Sequence, residues 1–249
     1  MTISAVVITH NESRDISECL ESLSWCDEII VVDGQSDDGT RQIASTIADK
    51  VLVEDDTDRS SGFDHTRMLG IEAASNEWIF WLDADERAPQ GIEDDIHEWI
   101  SSGDRDIISF PRKHIIFGKV TRSCGYWPNY EKRLFRRGSV EFSEGVHQFV
   151  NIDESTTEFK APAEDQYAIT HYRYRTREEF LDKSERYSTV KAKQTDYVFG
   201  QWLWHPIRTF LIRFFYYSGY KEGIHGLELS LLQAHYEFKL AQKSRRKNA

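Results

Sequence analysis

Along the first third of the chain, short apolar runs alternate with segments in which apolar residues recur every three or four positions. Ser4-Ala-Val-Val-Ile-Thr9, Glu28-Ile-Ile-Val-Val-Asp33, Lys50-Val-Leu-Val-Glu54 and Trp78-Ile-Phe-Trp-Leu82 are brief, apolar on consecutive positions and closed by polar residues. That pattern predicts strands buried on both faces. Between them, Ile16, Leu20 and Leu23 form one stripe behind Ser13, read as a helix cap, and Thr40 to Ala48 carries Ile43 and Ile47 on one face. Ser61 to Ala74 reads as a third helix. Strands alternating with helices predict an α/β fold with a mostly parallel, Rossmann-like sheet covered on each side.

The pattern changes after Pro89. A helix is expected over about Ile92 to Ile100 and a strand over Asp106-Ile-Ile-Ser-Phe110, followed by strands and long loops from Arg112 to His147. From Thr176 the chain reads as helical. Phe180, Ser184, Tyr187 and Lys191 share a face, an aromatic amphipathic stretch spans Pro206 to Tyr220, and a last helix runs from about Gly226 to Lys243 into the basic tail Lys243-Ser-Arg-Arg-Lys247. The expected organisation is an α/β domain over 1–172 with a helical C-terminal extension over 173–249.

Composition narrows the function classes. A length of 249 residues suits one core with an appendage. The net charge of −11 and a pI near 5.3 argue against a nucleic-acid partner, which calls for a basic surface. No apolar run reaches the ~18 residues that a spanning helix needs, and the N-terminus lacks the basic and apolar regions of a signal peptide. Cys19, Cys26 and Cys124 fit neither a disulfide framework nor a zinc site. A cytoplasmic location is the expectation.

Asp83-Ala-Asp85 directly follows the fourth strand. Carboxylates are costly to bury, so such a pair belongs where the chain leaves the sheet, and ligands of parallel sheets bind at that edge. Hard oxygens at i and i+2 suit Mg²⁺ or Mn²⁺; a capped helix start is the plainer alternative. Two other acidic strand ends, Asn11-Glu12 and Asp33, point to the same edge. Asp33 is read as an acceptor for a pyrimidine N–H or a ribose hydroxyl, Asp37 and Asp38 equally well as turn aspartates. Arg67 could pair with a phosphate or with one of these acids, or lie on the surface.

Val6-Val-Ile-Thr-His-Asn-Glu-Ser13, Ile30-Val-Val-Asp-Gly-Gln-Ser-Asp-Asp-Gly-Thr40 and Trp78-Ile-Phe-Trp-Leu-Asp-Ala-Asp-Glu86 resemble, in order and spacing, three successive motifs of the inverting family 2 glycosyltransferases of GT-A fold. Gly125 to Arg137, Val146-His147, His171 to Thr176 and the segment from His205 to Leu227 resemble the lipopolysaccharide-core β-glucosyltransferase branch. The resemblance divides 1–172 into a nucleotide-sugar half (1–88) and an acceptor half (105–172). It implies a UDP-hexose donor, such as UDP-glucose, held by Thr9, Asn11, Glu12, Asp33, Arg67, Asp83 and Ala84. It further implies Mg²⁺ or Mn²⁺ on Asp83 and Asp85, and a glycolipid acceptor at the inner membrane face.

Two positions depart from that branch: Gln148 stands where a glutamate follows Val-His, and Asn129 where an aspartate is usual. Neither amide can take the proton of an attacking hydroxyl. Glu144 is the preferred base and Glu131 the second candidate. An impaired enzyme that binds a glycan or a membrane is the competing reading. Trp127 offers a sugar-stacking face, and Arg133, Arg136, His147 and Gln148 complete the expected acceptor or phosphate side, with core packing or surface charge as the ordinary alternative for each. Aromatics and cations interleaved from Trp202 to Lys221 suit a helix lying in the headgroup region, or equally one packed over the catalytic domain.

Overall fold

The structure is a computed structural model, and residues 1–54, 64–142, 149–151, 156–193, 195 and 201–247 are described. In chain order the elements are β1 (Ile3–Thr9), α1 (Ile16–Glu21), β2 (Glu28–Asp33), α2 (Thr40–Ala44), β3 (Lys50–Val53), α3 (Asp64–Ala73), β4 (Trp78–Asp83), β5 (Glu86–Arg87), α4 (Glu93–Ser101) and β6 (Ile107–Ile116). Then follow β7 (Lys119–Thr121), β8 (Asn129–Arg136), β9 (Val140–Phe142), β10 (Phe149–Asn151), β11 (Glu158–Lys160), β12 (Ile169–Tyr174), α5 (Arg177–Ala192), α6 (Gln201–Leu211) and α7 (Ile224–Lys247). A π-helical turn, Ile212–Tyr216, continues α6.

The chain forms two compact units, Met1–Arg112 with Tyr130–His171, and Lys113–Asn129 with Tyr172–Ala249. Lys113–Asn129 thus packs with the C-terminal helices. Its Cys124 and Tyr126 share a buried cluster with Phe180 and Leu229.

In the first unit the strand order is β3-β2-β1-β4-β8-β6-β12-β5, with β11 beside β6. β1 lies parallel to β2 and to β4, whereas β8 is antiparallel to β4. The consecutive apolar runs exist because both faces are covered. Ala5, Val7, Ile29, Val31, Phe80 and Leu82 pack under Ile16, Cys19 and Leu20 of α1 and Ile96 and Ile100 of α4. The alternate positions Val6, Ile8, Ile30, Val32 and Trp81 face the other way, with Leu69 and Ile71 of α3 packed against them. Gly70 lets α3 approach closely, since a Cβ there would collide with Val6.

Ser13 does not cap α1. The helix starts three residues later, with the Glu12 carbonyl accepting from the Asp15 and Ile16 amides. The Asp15 carboxylate is used instead on Arg87, at 3.0 Å.

In the second unit β7 turns back on β6 through Phe117 and Gly118, both at positive φ, the backbone that a two-residue hairpin requires. α5 is capped by Thr176, which accepts from the Glu179 amide, while Glu179 reaches back to the Arg175 amide. α7 packs along α5 and α6.

Candidate active site at the carboxyl edge of the sheet

Register places the acidic strand ends together. Thr9 pairs with Asp33, and Ile8 with Asp83, so β1 separates the two carboxylates by one strand on each side, about 10 Å across the sheet. Asp33 is fully buried. Its Oδ2 accepts from Arg41 Nε and Nη2 (3.0 and 2.8 Å) and from the Ser36 amide, whereas Oδ1 is buried without a hydrogen-bond partner. Thr9 Oγ1, at the neighbouring strand end, is likewise buried and without one.

The loops after β1 and β2 lock each other. Asn11, at φ 57, accepts from the Asp37 amide through Oδ1 and donates its own amide to Ser36 Oγ. Asp38 accepts from the Ser13 amide and from the amide and hydroxyl of Thr40, which hold its carboxyl well below the usual range despite the cost of burial. Thr40 Oγ1 accepts in turn from the Glu12 amide. Asn11 and Asp38 are thus loop-fastening residues, the turn role that Asp38 was also open to.

Beyond β4 the chain makes a tight turn through Ala84 and Asp85 into β5. Asp83 Oδ2 accepts from Arg133 Nη2 at 2.8 Å, and the same nitrogen bonds Glu86 Oε1 at 2.7 Å. Glu86 has no exposed surface. Its Oε2 accepts from the Asp83 amide, and Arg112 approaches its Oε1 at 3.3 Å while bonding Glu131 Oε1 at 2.8 Å. The result is one alternating chain of charges, Asp83–Arg133–Glu86–Arg112–Glu131. Burial opposes ionisation of Asp83, but Arg133, aided by Arg67 and His171, holds its carboxyl at about 2. Arg67 and Arg133 both lie against the Trp81 ring, at 4.7 and 5.7 Å. Arg87 fastens the turn to α1 through Asp15 and Glu18, and donates to the carbonyls of Ala84 and Glu86.

Asp85 lies beside His171, with Oδ2 3.4 Å from Nε2. β12 brings the histidine there, because His171 pairs with Glu86 across β5. The Asp85 carboxylate is the hard oxygen donor that suits Mn²⁺ or Mg²⁺, and the imidazole nitrogen beside it is a second, softer donor. Asp83 fits less well as a direct ligand, since Arg133 already occupies one of its oxygens. Among the described residues no group of three or more His, Cys, Asp or Glu is gathered around one point.

Other expected residues fall elsewhere. Arg136 pairs with Glu77 at 2.8 Å, and its register partner is Trp78, at the opposite end of β4 from Asp83, so it is no part of this edge. Trp127 belongs to the second unit, where Arg122 lies over its ring at 5.2 Å. Asn129 bonds His114 at 3.1 Å in that unit. Glu144, His147 and Gln148 lie outside the described residues. Sequence reasoning missed Arg41, Glu86, Arg112 and His171. Glu86 and His171 stood inside quoted motifs without a role, whereas nothing local marked Arg41 or Arg112.

The model for the family described as glycosyl transferase family 2 matches residues 4–145, more than half of the chain and all of the edge apart from His171. The chain belongs to glycosyl transferase family 2. This family 2 glycosyltransferase is 27% identical over 212 residues to the lipopolysaccharide core biosynthesis glycosyltransferase LpsC of Rhizobium meliloti, covering 78% of the chain and 72% of LpsC. It is 24% identical over 235 residues to an uncharacterized glycosyltransferase of Rickettsia typhi, covering 88% and 79%. The crystal structure of S. aureus TarS 1–349 aligns with 100% of the chain and 92% of its own length, at 14% identity and a TM-score of 0.51. Its complex with UDP gives 0.50 at 15% identity. The likeness shows the fold, which is GT-A as the motifs implied.

Proposed function

We propose that this glycosyltransferase moves a hexose from a uridine diphosphate sugar to a hydroxyl of a glycolipid acceptor, with inversion at the anomeric carbon. The observation that carries the donor half is the pair of buried, unbonded oxygens, Asp33 Oδ1 and Thr9 Oγ1, at neighbouring strand ends. A buried acceptor without a donor costs about 1–3 kcal/mol. The imide N–H of uracil or a ribose hydroxyl recovers that cost, and the UDP bound by the TarS fragment supports uridine. The name of LpsC supports a lipopolysaccharide-core-type acceptor.

Thr9 and Asp33 bind the base or ribose, Ala84 and Asp83 lie toward the sugar, and Arg67 is the cation for the diphosphate. Asp85 and His171 hold Mg²⁺ or Mn²⁺, which when bound neutralises charge on the departing diphosphate. Glu131, 42% exposed at its side chain and joined to the Asp83 turn through Arg112, is the described residue best placed to act as base. It takes the acceptor hydroxyl's proton as that oxygen attacks the anomeric carbon, and the pair of the breaking bond leaves with the nucleoside diphosphate. Glu144 is the other candidate.

Contact with the inner membrane face is part of the same reading. Leu203, Trp204, Ile207, Leu211 and Phe215 recur at helical spacing and are exposed, beside the exposed Arg208. No described helix is long and apolar enough to cross a membrane.

The test is a screen of UDP-, GDP- and dTDP-sugars for nucleotide release with Mn²⁺. Release from a UDP-hexose that disappears in Asp85→Asn is expected. Donor binding without turnover, across a panel of core-type acceptors, would instead favour a glycan- or membrane-binding protein.

A further inference from the structure

The second unit holds two arginines that its acids do not balance. Arg173, on β12, lies 5.7 Å from the centre of the Tyr126 ring and 5.3 Å from that of Tyr174, and its Nε is buried without a hydrogen-bond partner. The groups facing it are the phenols of Tyr174, Tyr126 and Tyr187. Arg213, from the π-helical turn, lies 5.4 Å from the same Tyr126 ring and donates to the Cys124 carbonyl. Neither arginine meets a carboxylate among the described residues. Glu179, on the adjoining helix, is held by Lys183 at 2.7 Å and by the Arg175 amide.

Aromatic faces ease the burial of a cation but carry no net charge. Two guanidinium groups against one ring therefore repel each other, and beyond the bonds from Arg173 to Tyr174 and from Arg213 to the Cys124 carbonyl each keeps further N–H donors, an arrangement matched to a dianionic oxyanion. The support is rigid. Tyr126 is buried and accepts from Gln233 Nε2 at 2.9 Å, and Tyr217 packs on Gly125, where any Cβ would press into its ring. Both arginines remain partly exposed, so a ligand can reach them. The π-helical turn sets Arg213 out of the α6 register, a distortion often found at binding sites.

We propose that Arg173 and Arg213, gathered around Tyr126, form a binding site for a phosphate monoester carried by the acceptor. The word acceptor rests on the transferase reading above; the affinity for phosphate does not. The experiment is titration calorimetry of inorganic phosphate into the full chain without nucleotide, repeated for Arg173→Gln, Arg213→Gln and Asp85→Asn. Phosphate binding that weakens at least tenfold in each arginine variant and is unchanged in Asp85→Asn is expected. Arg173→Lys, which keeps the charge but loses the fork, should fall between wild type and Arg173→Gln and guards against a folding defect.

Two further arms separate the sources of the phosphate. Competition by glucose 6-phosphate but not glucose assigns a sugar phosphate, while arginine-dependent sedimentation with phosphatidylcholine vesicles containing phosphatidic acid assigns a lipid headgroup. Absent phosphate binding, binding indifferent to both arginines, or binding lost only in Asp85→Asn would overturn the site. None of these results bears on nucleotide release, which tests the transferase reading separately.

Discussion

Arg133→Met tests the charge chain that holds the Asp83–Glu86 turn in place. Arg133 is 4% exposed and donates one nitrogen to both Asp83 and Glu86. A methionine fills a similar volume but leaves Glu86, which has no exposed surface, with Arg112 at 3.3 Å as its remaining guanidinium partner. Removing one member of a buried ionic cluster costs about 3–5 kcal/mol, mostly because the survivor stays charged in a poor dielectric. The lower end applies here, since Arg112 remains and Asp83 is partly solvated. With about 2–4 °C per kcal/mol at this size, Tm should fall by about 6–12 °C.

The assay is urea unfolding of Arg133→Met, Glu86→Gln and the double variant. Glu86→Gln removes the charge that Arg133→Met strands, so the double variant should be more stable than the two single losses added together predict, by at least about 1 kcal/mol. In Arg133→Met the Asp83 carboxyl should also titrate above its value of about 2, because the cation opposing its desolvation is gone. A loss below about 1 kcal/mol, or strict additivity, would refute the idea that this cluster is held by mutual neutralisation.

Three other outcomes are expected. Asp85→Asn and His171→Asn should each weaken Mn²⁺-dependent stabilisation by UDP at least tenfold while leaving unfolding without ligand within about 1 kcal/mol; equal metal response in wild type and both variants would remove the metal from this pair. Glu28 is pressed down to about 2: burial opposes its charge, but Lys50, Ser4 and Ser75 bond the ionised form and win. Its contribution is therefore full above pH 4.5 and lost as pH falls toward 2, so the stability gap to Glu28→Gln should shrink over that window. The gap at neutral pH should be about 1–2 kcal/mol, reduced because Lys50 is 44% exposed and screened. Gly226→Ala would drive a Cβ into the Gly219 carbonyl, backbone against backbone, and should cost at least about 3 kcal/mol by circular dichroism melting; a change under 1 kcal/mol would mean that α7 shifts freely there.

Much of the first unit was legible because burial on both faces leaves a local mark. The runs Val6-Val-Ile8, Ile29-Ile-Val-Val32 and Trp78-Ile-Phe-Trp-Leu82 are apolar at consecutive positions only because helices cover each side, and β1, β2 and β4 lie where those runs stand. The acidic strand ends were legible for a related reason: a carboxylate that closes such a run must sit at the rim. The hairpin strand β7 and the membership of Lys113–Asn129 left no such mark, since polar, half-exposed strands carry little periodicity.

Charge pairing obeyed no local rule. Asp33 and Arg41 are eight residues apart, but Asp83 and Arg133 are 50 apart, and Asp85 and His171 further still. The sequence by itself determined the α/β architecture, the family motifs and the edge at which Asp33, Asp83 and Asp85 emerge, because hydrophobic periodicity and strand punctuation are written in neighbouring residues. Only the tertiary structure decided that Arg133 claims Asp83, that His171 joins Asp85 and that Asn11 fastens the loop after β2. Which charges meet depends on strand order and register, and these are settled by packing between segments far apart in the chain.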